Sequence, residues 1–271
     1  MNMVRVTFLG TGGCRFATVY QVRHTGGIYI EAGAKIHLDP GPGAVINLNR
    51  LGIDPASTDA VLISHCHPDH YADAEVLIEG MTRCNFSHRG LVAGGRSVVD
   101  GTADHGPAIS RYHRSIVSDC LSLSPGERFK VGTLEVQTTP TSHSDTEGIG
   151  FRFLTKNGVI SYVSDSELTG EVADAHEGAR MLIMSITRPL GARVRYHMST
   201  EDAAILVQEI RPETAVLTHF GSKLVHEGAG KQARFVQERT GIRTIAAEDF
   251  MRLTMLKTIR RSMARPSNRP S

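Results

Sequence analysis

The chain has 271 residues, 40% apolar and 21% charged, which suffices for one large globular domain or two small ones. No apolar run nears the roughly 18 residues of a membrane span, and Arg5 and Gly10 interrupt any secretory leader, so the expectation is a soluble, cytoplasmic protein without a membrane partner. The net charge of +2 conceals a split: residues 257–271 carry +5 (Lys257, Arg260, Arg261, Arg265, Arg269), while 1–256 hold 25 basic against 28 acidic residues, which excludes a basic nucleic-acid footprint over the whole body.

In chain order, Val4–Leu9 alternates as a strand and runs into Gly10-Thr11-Gly12-Gly13. That glycine loop lacks the Lys-Ser/Thr of a phosphate loop and the full GxGxxG spacing, so a tight turn is the simpler account. Ile28–Glu31 and Lys35–Leu38 flank Ala32-Gly33-Ala34 as a hairpin, and Asp39-Pro40-Gly41-Pro42-Gly43 ends the second strand. A helix over Ala44–Leu51, a short apolar strand Ala60–Ile63 and a helix through Tyr71–Ile78 follow.

Residues 80–118 read as a loose, Gly-rich stretch, in which Asp104, His105, Arg111, Tyr112 and His113 are candidates for a lid. Beyond it come strands Phe129–Val131, Leu134–Thr138, Gly148–Leu154 and Val159–Val163, the last two joined at Lys156-Asn157-Gly158. A strand Met181–Ser185, a helix Thr200–Ile210, a strand Thr214–Thr218, a helix Gln232–Arg239 and strands Arg243–Ala246 and Phe250–Thr254 close the order. Hairpins lead each half and strand–helix alternation follows. The expected class is therefore α/β, with two mixed sheets face to face and helices outside, a four-layer αββα sandwich. Residues 1–256 are expected to form one domain, and 257–271, with Pro266 and Pro270, a basic disordered tail.

Histidine carries the chemistry. Thirteen are present, and three fall in His65-Cys66-His67-Pro68-Asp69-His70, directly after the strand 60–63. In extended chain, residues two apart point the same way, so His65 and His67 can reach one ion while Cys66 points elsewhere. The turn after Pro68 aims Asp69 and His70 at a neighbouring position. Imidazoles with a carboxylate suit zinc, or manganese or iron at a mixed nitrogen/oxygen site. His143, Asp165 and His219 each stand just past another apolar β-run, so four strand ends offer His or Asp along one rim. The four cysteines (14, 66, 84 and 120) form no CxxC pair and no disulfide framework, and Cys14 reads as a buried structural thiol.

The HxHxDH run with these downstream residues resembles the metallo-β-lactamase-fold hydrolase superfamily, from Val4 to about Met255. Leu38-Asp39-Pro40-Gly41 matches that family's first motif, His65–His70 the second, His143 the third, Asp165 the fourth and His219 the fifth. Phe8–Gly13 and His197-Met198-Ser199-Thr200 are similar to the ribonuclease Z and phosphodiesterase branch. The resemblance implies two divalent ions: His65, His67 and His143 hold one, Asp69, His70 and His219 the other, and Asp165 bridges them. It implies that Asp39 orients a ligand or the bridging water, and that His197 faces the leaving group. Asp69 can also take a proton from that water, in tension with full ligation.

The implied activity is that of a phosphodiesterase or nuclease using a metal-bridging hydroxide on a small-molecule or short nucleic-acid substrate. Arg188, Arg193 and Arg195, between Asp165 and His197, are candidate phosphate contacts. Only 31 residues separate Asp165 from His197, so the long tRNA-clasping arm of ribonuclease Z is not expected there. His67 stands where redox diiron members carry Glu, which argues against oxygen or nitric oxide reduction, and the lack of a leader argues against periplasmic antibiotic hydrolysis. A homodimer is an expectation of the resemblance alone. Two alternatives stay open: a carbon-ester, lactone or amide hydrolase with the same ions, and a metal-loaded binding or regulatory protein with negligible turnover.

Overall fold

The computed structural model describes residues 3–256 and 259–264. Two eight-stranded mixed sheets stack face to face. The first runs, edge to edge, Ile259–Met263, Met251–Met255, Val4–Phe8, Ile28–Glu31, Lys35–Leu38, Ala60–Ile63, Leu91–Gly95 and Asp119–Leu123. Its first five strands pair antiparallel and its last four parallel. The second runs Thr244–Ala246, Thr214–Thr218, Ala179–Arg188, Gly158–Val163, Ile149–Thr155, Leu134–Pro140 and Arg128–Val131, parallel in its first half and antiparallel in its second, with the short strand Met198–Ser199 paired to Ala179–Arg188 off this path.

Alternation along single strands builds the layers. Leu62 faces the central core with Phe8, Ile36, Phe151 and Phe153, whereas Val61 and Ile63 face outward against Leu48, Leu77 and Ile78. Met181 and Ile183 turn inward while Leu182 and Met184 pack beneath Ala203, Leu206 and Val236. Strands covered on both faces must be apolar throughout, which is why Ala-Val-Leu-Ile at 60–63 shows no alternation. Helices Ala44–Arg50 and Ala74–Met81 cover one outer face, and Thr200–Ile210 and Ala229–Thr240 the other, giving the four-layer sandwich.

The expected hairpins occur in register, with Glu31 opposite Lys35 and Val131 opposite Leu134. Other segments differ. Residues 80–118 are not loose: Leu91–Gly95 is an interior strand with Val92 and Ala93 fully buried. Its glycines permit close backbone approach, since a β-carbon on Gly94 would lie 2.8 Å from the Ile63 carbonyl oxygen. The helix foreseen from Tyr71 is two pieces, Pro68–Tyr71 and Ala74–Met81. Cys14–Tyr20 is a helix that local pattern did not indicate. Part of the expected tail is ordered: Ile259–Met263 pairs antiparallel with Met251–Met255 and closes the edge of the first sheet. Positions 257, 258 and 265–271 lie outside the described residues. No helix among the described residues is long and apolar enough to cross a membrane.

Candidate metal centre

The parallel strands of both sheets end on one rim, and the residues just past them meet there. Asp39 follows Lys35–Leu38 in a left-handed conformation (φ 50°). Its carboxylate accepts hydrogen bonds from Ser64 N (2.7 Å), Ser64 Oγ (2.8 Å), Tyr162 Oη (2.8 Å) and His70 Nδ1 (2.9 Å). Asp39 thus ties the first strand end to the His65–His70 loop and turns the His70 Nε2 toward the centre. This is the usual way a carboxylate orients a ligand imidazole.

Three rings converge on one point. His65 Nε2 lies 2.8 Å and His143 Nε2 3.2 Å from His67 Nδ1. Burial pushes His65 well below the ordinary histidine range, and burial with His143 beside it pushes His67 down to about 4. Burial lowers His143 as well. Neutral rings crowded nitrogen to nitrogen present lone pairs to a common position. His143 is held from behind by donating its Nδ1 proton to the Tyr196 carbonyl (2.8 Å), and Tyr196 N is gripped by Glu167 (2.6 Å).

A second group lies alongside. His219 Nε2 is 3.3 Å from Asp69 Oδ2, and His219 Nδ1 is 3.2 Å from Asp165 Oδ1. His70 Nε2 stands 3.8 Å from both Asp69 and Asp165. Burial would raise the two carboxyls, but neighbouring histidines outweigh it: His70 and His219 keep Asp69 well below the usual carboxylate range. His219, His197 and His70 do the same for Asp165. Burial would lower His70, yet Asp39 and Asp69 hold it well above the ordinary value.

His70 Nε2, Asp165 Oδ1 and both His219 ring nitrogens are buried without a hydrogen-bond partner among the described residues. Orphaned buried polar atoms are costly unless something completes them. The groups His65/His67/His143 and Asp69/His70/His219, with Asp165 in reach of His65, His70 and His143, fit divalent cations in donor type and convergence.

The structure therefore brings together all seven residues expected as ligands, and puts Asp39 behind His70. His197 sits beside them, its Nε2 3.5 Å from Asp165 Oδ2 and its ring 5.0 Å from that of His143. Burial would lower His197, but hydrogen bonds to Asp165 and Cys14 push it up to about 10. Cys14 is therefore no buried structural thiol: it is half-buried at the mouth, and its backbone N–H donates to Asp69 Oδ2 (2.8 Å).

The arginines separate. Arg193 and Arg195 line a cavity of about 380 Å³ with His197, Glu167, Leu168, Val194 and Asp202. Arg193 is engaged by Asp202 at 2.6 Å and Arg195 lies over the Tyr196 ring at 4.5 Å. Arg188 ends the strand Ala179–Arg188 and is not part of that lining. Of the lid candidates, His113 turns to Glu75 and Glu79 on the helix Ala74–Met81, at 3.0 and 3.3 Å. That contact places the helix Arg111–Ser115 against the outer layer.

Sequence reading missed the supports. Asp145 is buried and accepts from Cys66 N (2.8 Å), Ser97 Oγ (2.6 Å) and Glu147 N (3.1 Å), clamping the backbone between His65 and His67. Gly13 leaves room for the His219 ring, to which a β-carbon would come within 2.2 Å. The only local signal was the presence of an acid two residues after His143 and of glycines after the first strand.

Taken together, this rim of imidazoles and carboxylates on an αββα sandwich defines a metallo-β-lactamase-type fold. A family model, the β-lactamase superfamily domain, matches residues 34–220, and the chain belongs to that family. An uncharacterized protein of Methanocaldococcus jannaschii is 37% identical over 256 residues, covering 93% of this chain and 96% of that protein. A ribonuclease Z of Mycobacterium bovis is 24% identical over 277 residues, covering 92% and 93%. The metallo-β-lactamase fold protein YhfI of Bacillus subtilis superposes with a TM-score of 0.75 at 20% identity, over 91% of this chain and 97% of that one. The chain thus falls within the β-lactamase superfamily, and proteins named ribonuclease Z are among its more distant relatives.

Proposed function

We propose that the protein is a dinuclear metal-dependent hydrolase that cleaves phosphodiesters. The observation that carries the reading is the pair of convergent donor groups within reach of Asp165, with buried nitrogens and a carboxylate oxygen that no hydrogen bond among the described residues completes. His65, His67 and His143 would hold one ion, Asp69, His70 and His219 the other, with Asp165 between them. Bound there, two divalent ions supply an acidified water and a counter-charge for the anionic transition state, with zinc the best fit to the donors and manganese or iron as alternatives.

The chain's own residues do the rest. Asp39 fixes the His70 ring, and Tyr196 with Glu167 fixes that of His143. Asp69, held low by its histidine neighbours, suits ligation better than proton uptake. His197, partly exposed on the cavity wall, carries the proton that a leaving oxygen needs. Arg195 stands beside it for an anionic substrate. The ribonuclease Z relative supports a phosphodiester in the same direction. One observation favours a carbon-ester, lactone or amide substrate instead: Asp202 neutralises Arg193, and Glu167 shares the same wall.

The test is hydrolysis of bis(p-nitrophenyl) phosphate and of p-nitrophenyl acetate by protein stripped with chelator and reloaded with zinc or manganese. Metal-dependent turnover of the diester supports the proposal, and turnover of the acetate alone moves it to carbon esters. Neither activity with two ions bound per chain would leave a metal-loaded binding protein.

A further inference from the structure

The rings around the mouth follow one another in contact. The His105 centroid is 5.6 Å from that of His67, His67 is 5.0 Å from His143, and His143 is 5.0 Å from His197. The inner two belong to a convergent donor group. His197, at one end of the file, shares a further donor group with His143 and Asp165, and His105 stands at the other end. His197 has a place in the proposed reaction, and His105 has none.

His105 belongs to no convergent donor group among the described residues, so it lies outside ligand range. Its ring is half-buried against His67, and neither ring nitrogen has a partner among the described residues. The ring is partly exposed and its nitrogens are not buried, so they stay open to something that enters from solvent beside the ligand loop.

The chain holds this ring in place. Thr102 N donates to the His105 carbonyl (2.7 Å), and His105 N donates to Thr102 Oγ1 (3.0 Å), closing a tight turn. Ala108 N then bonds to the Val98 carbonyl (2.9 Å). Gly106, at φ 65°, is wedged so tightly that a β-carbon would lie 2.2 Å from the Ser97 carbonyl oxygen and 3.0 Å from Cys66 Sγ. Cys66 is the residue between His65 and His67, so the turn is packed directly on the ligand loop. The geometry is preorganised, as a binding contact requires.

From this juxtaposition we infer that His105 is a substrate-contacting residue. Its ring N–H donates to a non-bridging oxygen of an anionic group, a phosphoryl or carboxylate, lying across the centre, at the end of the ring file away from His197. The inference rests on the metal-hydrolase reading above but not on the identity of the ester. A charge-assisted hydrogen bond of this kind is worth about tenfold or more in binding.

The experiment titrates inorganic phosphate calorimetrically into zinc-loaded wild type, His105→Ala and His105→Gln, after the metal content of each has been measured. The same proteins are then assayed on bis(p-nitrophenyl) phosphate. Metal content equal to wild type, phosphate affinity about tenfold weaker in His105→Ala, and partial recovery in His105→Gln are expected, with KM raised and kcat within about threefold. Unchanged phosphate affinity in His105→Ala would overturn the inference, as would loss of an ion, which would make His105 a support of the ligand loop. A wild type that binds no phosphate overturns it too. Phosphate binding without diester turnover counts against the phosphodiester reading alone, and the titration still decides the role of His105.

Discussion

Replacing Gly13 by alanine would drive a methyl group into the His219 ring. Gly13 has extended backbone (φ −162°, ψ 178°), so alanine meets no conformational penalty there and only the contact opposes it. The added β-carbon would lie 2.2 Å from His219 Cδ2, 2.2 Å from Nε2 and 2.3 Å from Cε1. Carbon contacts relax near 3.5 Å, so ring or loop must give by more than about 1 Å. Neither yields cheaply, because Gly13 N is bonded to the Phe220 carbonyl (3.2 Å) and His219 itself sits at φ 59°. Metal–nitrogen distances tolerate only about 0.2 Å, so the Asp69/His70/His219 position should lose its ion while His65/His67/His143 keeps theirs. A displacement of this size costs about a hundredfold in rate. The assay is metal content per chain after dialysis, alongside turnover. Gly170→Ala, with nothing within 4 Å and no left-handed φ, serves as the neutral control. Wild-type metal content and turnover in Gly13→Ala would refute the reasoning.

The remaining expectations concern supports and stability. Asp145→Asn leaves one acceptor oxygen for three donors and sets an amide N–H against one of them, so metal affinity should fall about 10- to 100-fold and stability by about 2 kcal/mol, read by chelator competition and urea unfolding. Burial pushes His176 down to about 3, so between pH 6.5 and 4.5 the unfolded chain takes up a proton there that the folded chain refuses. Stability present above pH 6.5 is therefore lost as pH falls, by about 2–3 kcal/mol at pH 4.5. His176→Gln should remove that share of the acid sensitivity when the metal-free proteins are unfolded in denaturant at pH 7 and 4.5, and equal slopes in both would count against it. Gly230→Ala, in the helix Ala229–Thr240 with open space around it, should raise stability by about 0.5–1 kcal/mol in the same unfolding assay.

Much was legible because it was local. Turn residues set the hairpin register at Gly33 and Gly132, and alternation or unbroken apolarity marked most strands. The spacing of His65, His67, Asp69 and His70 placed four side chains on one short loop. The interior strand Leu91–Gly95 escaped because its identity rests on neighbours: between Ala60–Ile63 and Asp119–Leu123, glycine is an advantage, while in isolation it signals a loop. The edge strand Ile259–Met263 escaped for a related reason, since its exposed Arg260 and Arg261 resemble a solvated tail until Met251–Met255 supplies the hydrogen bonds.

What the sequence by itself determined is the set of chemical groups and the strand ends on which they ride. Local covalent spacing and backbone preference suffice for that. Only the tertiary structure decided which of them meet. Asp165 and His219 follow strands paired in parallel and His143 an antiparallel one, and the stacking of the two sheets brings all three to the His65–His70 loop, through contacts between residues far apart in the chain. The same long-range packing turns Arg193 to Asp202 and His113 to the helix Ala74–Met81, and it lays His105 against His67. A side chain's type is written locally, but its partner depends on which surfaces the burial of the core forces together.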